Sequence, residues 1–241
     1  MQYNNIHKCF IKTQIYSVVE EAIQACSCIG KGIDTYPLKD YVFQSVFLKM
    51  TGFQEQKLKC ICWTMATYDF QYRRNLLNND DGLGEYSTIE AKTKIYKRII
   101  ECINRISNKP FNIDDIKKEK IKTDVLDYMD SKRNDCIFSI GAPEDFQIYE
   151  SHKHLFKINQ FCSDSTTLLQ NGLSELYDSL YKHRNRCAHN TTSYQDNIPS
   201  LRVLSNEKFY CNYFLWFALL ILIDNIFIAL FDIFEQALNL N

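Results

Sequence analysis

Between Phe214 and Ile223 the chain runs ten residues without a polar side chain, and Ile226 to Phe231 extends the run beyond Asp224 and Asn225. Such a stretch has to be shielded from water, by a bilayer, by the core of a large helical domain or by a second subunit. A membrane span needs about twenty predominantly apolar residues with few charges. Here an aspartate stands in the middle, at an insertion cost of roughly 2.5–3.5 kcal/mol. Asp232 follows, and no Lys or Arg comes after Lys208 to anchor an end. The expectation is therefore a helix over about Glu207 to Leu240 that is buried by protein, with no membrane involved. Its apolar girth suggests a homodimer.

The rest of the chain is punctuated too rarely for a many-stranded fold: seven glycines and four prolines in 241 residues favour long helices over frequent tight turns. An all-α protein follows. Apolar positions at Ile11, Ile15, Val18, Val19, Ala22, Ile23 and Cys26 have helical spacing, and Gly30-Lys31-Gly32 ends that segment. Pro37 opens a second helix through Leu48, with a break or bend at Thr51-Gly52. A third runs from Phe53 to about Leu77, where Glu55 and Lys59 form a solvated i,i+4 pair. Asn78-Asn79-Asp80-Asp81-Gly82 reads as a loop. Glu85 to Ile106 is helical again, up to a break at Asn108-Lys109-Pro110. The alternating charges of residues 114–122 read as a solvated helix face. Gly141-Ala142-Pro143 divides an N-terminal helical part, 1–140, from 141–241.

A formal net charge of −1 excludes a globally basic nucleic-acid binder, so any contact with nucleic acid must come from a local patch. Ten cysteines do not form a recognisable metal framework. Cys26/Cys28 and Cys60/Cys62 are one residue apart rather than two to four, and the others are scattered among apolar neighbours. They read as buried, reduced thiols of a cytoplasmic protein, and the N-terminus lacks the pattern of a signal peptide. His152 and His154, two residues apart, point about 200° apart on a helix and would not share an ion there. No metal and no cofactor is expected.

One local rule is broken. Leu173, Leu176, Tyr177 and Leu180 form a helical stripe, and the next inward position carries Arg184, then Cys187. A charge where the pattern asks for an apolar side chain marks a functional or strained site, and Arg184 should face a carboxylate or a wet, polar seam. The segment reads Tyr181-Lys182-His183-Arg184-Asn185-Arg186-Cys187-Ala188-His189-Asn190, followed by the polar break Thr191-Thr192-Ser193 and then the apolar helix. Arg184, Asn185 and His189, with four residues between Arg and His, resemble the motif of HEPN domains. The resemblance covers about residues 150–241. It implies an HEPN-like helical bundle with additional N-terminal helices, and a metal-independent endoribonuclease of the toxin or anti-phage type.

Arg184 and His189 supply the side chains that such cleavage needs. A histidine titrating near neutrality moves protons, and an arginine holds phosphoryl oxygens through a bidentate fork. On an ideal helix the two diverge by about 140° and lie about 7.5 Å apart along the axis. They converge if the helix frays at His189 or if two chains share a cleft, as HEPN ribonucleases commonly do. Asn185 stands at i,i+4 from His189 and could orient its ring, while Lys182 and Arg186 would meet RNA phosphates. Some HEPN toxins carry a modified tyrosine two residues after the histidine. Thr191 stands there instead, which argues against that form of antitoxin partnership, although an antitoxin or regulator remains an expected partner. A Cys187/His189 pair is disfavoured by spacing. The alternative to an enzyme is a non-catalytic helical module that binds a nucleotide or a partner through the same residues.

Overall fold

In the computed structural model of the chain, residues 2–27, 36–78, 84–134, 143–157, 160–189 and 212–239 are described. In chain order the helices are α1 (Gln2–Lys12), α2 (Ser17–Ala25), α3 (Tyr36–Tyr68), α4 (Phe70–Leu77), α5 (Ile89–Ser107), α6 (Lys118–Ser131), α7 (Pro143–His152), α8 (Asn171–His189) and α9 (Tyr213–Asn239). A short antiparallel hairpin, β1 (Phe161–Asp164) and β2 (Thr167–Leu169), leads into α8. The fold is all-α apart from this hairpin. Gly30-Lys31-Gly32, most of the 78–82 loop, Gly141-Ala142 and the polar break after His189 lie outside the described residues, as do Cys28, Cys136 and Cys211.

The apolar run is α9, and the fold is built round it. Helices α1, α3, α5, α6, α7 and α8 all pack against it, so every residue from Phe214 to Ile223 is buried. The helix is long and apolar enough to cross a membrane, yet 83% of its most apolar window is buried inside the fold. A single chain thus covers the girth that suggested a second subunit. The homodimer expectation loses that support and rests on the geometry of the motif alone. The buried apolar cluster draws residues from both sides of position 140.

Asp224, in the middle of α9, is fully buried and answered by three groups. Lys57 of α3 places its Nζ 2.6 Å from Oδ1 and also donates to the Thr13 carbonyl at 2.6 Å. The Ile15 N–H donates to Oδ2 at 2.9 Å. One carboxylate therefore ties α9, α3 and the α1–α2 turn. Burial pushes the Lys57 amine down and the Asp224 carboxyl up, each opposed by the charge of the other. Beside this pair, the Gln54 side chain donates to the Leu220 carbonyl at 3.0 Å, fixing the stagger of α3 against α9.

Three details differ from the sequence reading. Helix α3 runs unbroken through Thr51-Gly52. An exposed glycine inside a helix costs only about 1 kcal/mol, less than its flanking turns gain by packing Phe47, Met50 and Leu58 into the core. The break comes instead at Asp69, whose carboxylate accepts from the Tyr72 N–H at 2.8 Å and caps α4. Arg105 of α5 holds the same side chain through its Nε at 2.8 Å and Nη2 at 2.7 Å. The hairpin went unanticipated because its turn uses no glycine: Asp164 accepts from the Thr166 N–H at 2.7 Å and from both threonine hydroxyls. Helix α5 ends at Asn108 in the left-handed region (φ 51°), two residues before Pro110.

Candidate functional site

Helix α8 is set by its first turn and its inward stripe. Asn171 adopts φ 43°, which asparagine tolerates better than other non-glycine residues. A Cβ at Gly172 would sit 3.1 Å from Leu155 Cδ2, so the missing side chain lets α8 approach the 3₁₀ turn (Lys153–Phe156) before it. Leu173, Leu176, Tyr177 and Leu180 are buried as the periodicity required. Arg184 follows on that face with 24% of its side chain exposed.

Arg184 faces a carboxylate. Its Nη2 lies 3.8 Å from Glu55 Oε2 on α3, and its Nη1 donates to Asn185 Oδ1 at 3.2 Å. Asn185 thus engages the arginine. Glu55 also holds Lys59 at 3.1 Å, as its spacing suggested. Lys182 is exposed and available to solvent. Arg186 is half-buried and directs Nη2 toward His183 Nδ1 at 3.4 Å, so only part of its guanidinium faces outward. Helix α8 remains regular through His189, which excludes a helix frayed before that residue. The side chain of His189 lies outside the described residues.

The structure adds a histidine that sequence reading passed over. His183 packs between Trp216, with ring centroids 4.6 Å apart, and Phe47 at 5.4 Å. Its Nε2 sits 2.9 Å from the Tyr213 hydroxyl and 3.3 Å from Cys187 Sγ. A guanidinium can only donate, so the hydrogen-bond network assigns the proton to Nε2 and the acceptor role to Nδ1. Burial, with help from the charge of Arg186, lowers this imidazole to about 4, and burial pushes the Cys187 thiol up. Both are neutral near pH 7. The pair is not an activated thiolate–imidazolium, and its contacts make it part of the packing between α8, α3 and α9. The i,i+4 spacing of His183 and Cys187 was the signal that could have found it.

Two further polar residues stand behind Arg184. Lys92 of α5 and Gln54 of α3 are 2% and 1% exposed. Both line a small cavity that Tyr177, Tyr181 and Arg184 close from the α8 side. Lys92 falls one turn after Ile89 and one before Tyr96, on the buried stripe of α5. That is the same violation of pattern that singled out Arg184, and it could have been read from the sequence.

Elsewhere, His152 Nδ1 pairs with the Ile148 carbonyl at 2.9 Å and His154 Nδ1 with that of Ser151 at 3.0 Å. Among the described residues no three His, Cys, Asp or Glu side chains are grouped so as to hold a metal ion. The chain matches no family model, no curated protein and no solved structure.

Proposed function

We propose that the chain is a metal-independent endoribonuclease of the HEPN type, acting in a toxin or anti-phage setting as a cytoplasmic homodimer. The observation that carries this reading is the placement of Arg184. It ends a buried stripe, is partly exposed, and is restrained by a carboxylate at a distance too long for a tight bidentate pair. A guanidinium so held is oriented yet free to exchange Glu55 for a phosphate.

In this reading His189 takes the proton from the 2′-hydroxyl as O2′ bonds to phosphorus. The P–O5′ bond breaks, and the leaving oxygen receives a proton from a second histidine, the His189 of the partner copy. Arg184 stabilises the charge that builds on the phosphoryl oxygens. Asn185 keeps Arg184 in place, and Lys182, with the outward part of Arg186, meets neighbouring phosphates. The products carry a 2′,3′-cyclic phosphate and a 5′-hydroxyl. The regular course of α8 to His189 favours a composite site, because within one ideal helix the two residues diverge by about 140°.

The test is cleavage of RNA in the presence of EDTA. Replacing His189 by Ala should lower the rate on the order of 10²–10⁴-fold, and Arg184→Lys should fail to restore the fork. Cleavage of a strand deoxy-substituted at the cut site, or loss of turnover with chelator, would reject the mechanism. A second reading, a non-catalytic module binding a nucleotide or partner, draws on the engagement of Arg184 by Glu55 and Asn185. It takes the lead if wild type and His189→Ala are equally inert on RNA while the fold is intact.

A further inference from the structure

The cavity behind Arg184 has a volume of about 10 Å³, room for a single water. It is too small to be a substrate pocket. Its lining is nonetheless polar where a core would be apolar. Gln54 Oε1 and Ser87 Oγ are buried without a hydrogen-bond partner, and both belong to the lining with Lys92, Tyr177 and Arg184. The Lys92 ammonium lies 5.8 Å from the centroid of the Tyr177 ring. Among the described residues no carboxylate comes within ion-pair distance of it.

We infer that Lys92 is a positioning residue for Arg184, competing with it for Glu55 and so setting how firmly the motif arginine is held. Every charged neighbour that acts on Lys92 supports such a balance. Glu55 on α3 and Asp224 on α9 favour its protonated form, and Arg184 on α8 disfavours it. Asp224 is already committed to Lys57, and Tyr177 is held in its neutral form by burial. Glu55 is left as the carboxylate that Lys92 and Arg184 share. Burial first, then Arg184, brings the Lys92 amine down to about 7 against the pull of the two carboxylates. When Lys92 is protonated it draws on Glu55 and repels Arg184, which releases the guanidinium toward substrate. When Lys92 is neutral, Glu55 is left to Arg184 alone and retains it.

The inference rests on the ribonuclease reading only for its consequence in turnover, and it is testable without turnover. In ¹⁵N-labelled protein the Arg184 side-chain Nε–H signal, identified by its loss in Arg184→Lys, should move with pH between about pH 6 and pH 9. The same signal should be flat in Lys92→Met, which is neutral throughout, and insensitive to the Lys92 substitution in a Glu55→Gln background. On RNA, wild-type kcat/KM should fall at least about threefold more than that of Lys92→Met across this range, with Lys92→Arg keeping the acidic-limb value at alkaline pH. An Arg184 signal without inflection in wild type, or one with the same inflection in Lys92→Met, overturns the proposal. If Lys92→Met does not fold, the comparison of wild type with Glu55→Gln decides by the same criterion. Coupling of the Arg184 signal to Lys92 with no cleavage of RNA would uphold the positioning role and reject the ribonuclease.

Discussion

Two ion pairs leave α3 within one turn and face opposite ways. Lys57 points inward to Asp224 with 1% and 0% of the two side chains exposed and a separation of 2.6 Å. Glu55 reaches Arg184 at 3.8 Å with 14% and 24% exposed. The inner pair has extra partners in the Thr13 carbonyl and the Ile15 N–H, so neither charge can leave without stranding the other. The outer pair is long, partly wet and shared with Lys59. The same chemistry thus serves as a fastening in one place and as a detachable restraint in the other. What separates them is water.

The largest effect should come from breaking the inner pair. Asp224→Ala leaves a buried ammonium unpaired and should cost about 3–5 kcal/mol of unfolding free energy, measured by denaturant titration. Lys57→Met together with Asp224→Leu should recover most of it, since a matched apolar pair replaces a buried ion pair at little cost. An Asp224→Ala loss below about 1 kcal/mol would show that the two pairs do not differ as described.

Next in size is the response of His183 to acid. Its folded value of about 4 is below the value near 6.5 of an unfolded histidine. The unfolded chain therefore binds the proton first, and stability falls as pH drops from about 6.5 to 4, by up to about 3 kcal/mol at the lower end. His183→Phe should flatten that window in thermal melts. The neutral pair of His183 and Cys187 would then be acid-sensitive packing, next to an arginine that stays charged at every pH.

Asp69→Ala removes a helix cap and the acceptor of Arg105 together, and should lower stability by about 2 kcal/mol. Glu55→Gln, by contrast, should change it by under about 1 kcal/mol, the range of exposed pairs. Chemical denaturation of both variants would place the outer pair on the scale set by the inner one. The smallest change is a gain. No atom lies within 4 Å of a Cβ added to Gly52, so Gly52→Ala should stabilise α3 by about 0.5–1 kcal/mol, raising the melting temperature without altering either pair.

The legibility of these features follows from how far each one reaches along the chain. The helical stripes, the burial of α9 and the break in pattern at Arg184 are local, and periodicity exposed them. Expecting a carboxylate opposite Arg184 needed only the cost of an unpaired buried charge, but which carboxylate it was could not be local: Glu55 lies in another helix and had read as a solvated partner of Lys59. Lys92 was missed because its stripe was judged by the isoleucines round it. The unbroken course of α3 past Gly52 and the stop at Asp69 were settled by packing and by a salt bridge from α5. The hairpin before α8 hid behind a threonine-rich turn. The comparison of the two pairs is itself invisible in sequence, where Lys57 and Asp224 stand far apart.

Between Gln54 and Leu58 each inward or sideward residue of α3 answers a different neighbour. Gln54 meets the backbone of α9, Glu55 meets α8, Lys57 meets the α1–α2 turn and α9, and Leu58 fills the core. Inserting or deleting one residue here would swing all that follow by about 100° and shift them about 1.5 Å along the axis. The inner lysine would then face the outer seam and the outer glutamate the core. Chain length is therefore fixed across this turn, and lineages of this protein should vary in length anywhere but there. An alignment of its descendants showing a gap between residues 54 and 58 would be incompatible with the fold described.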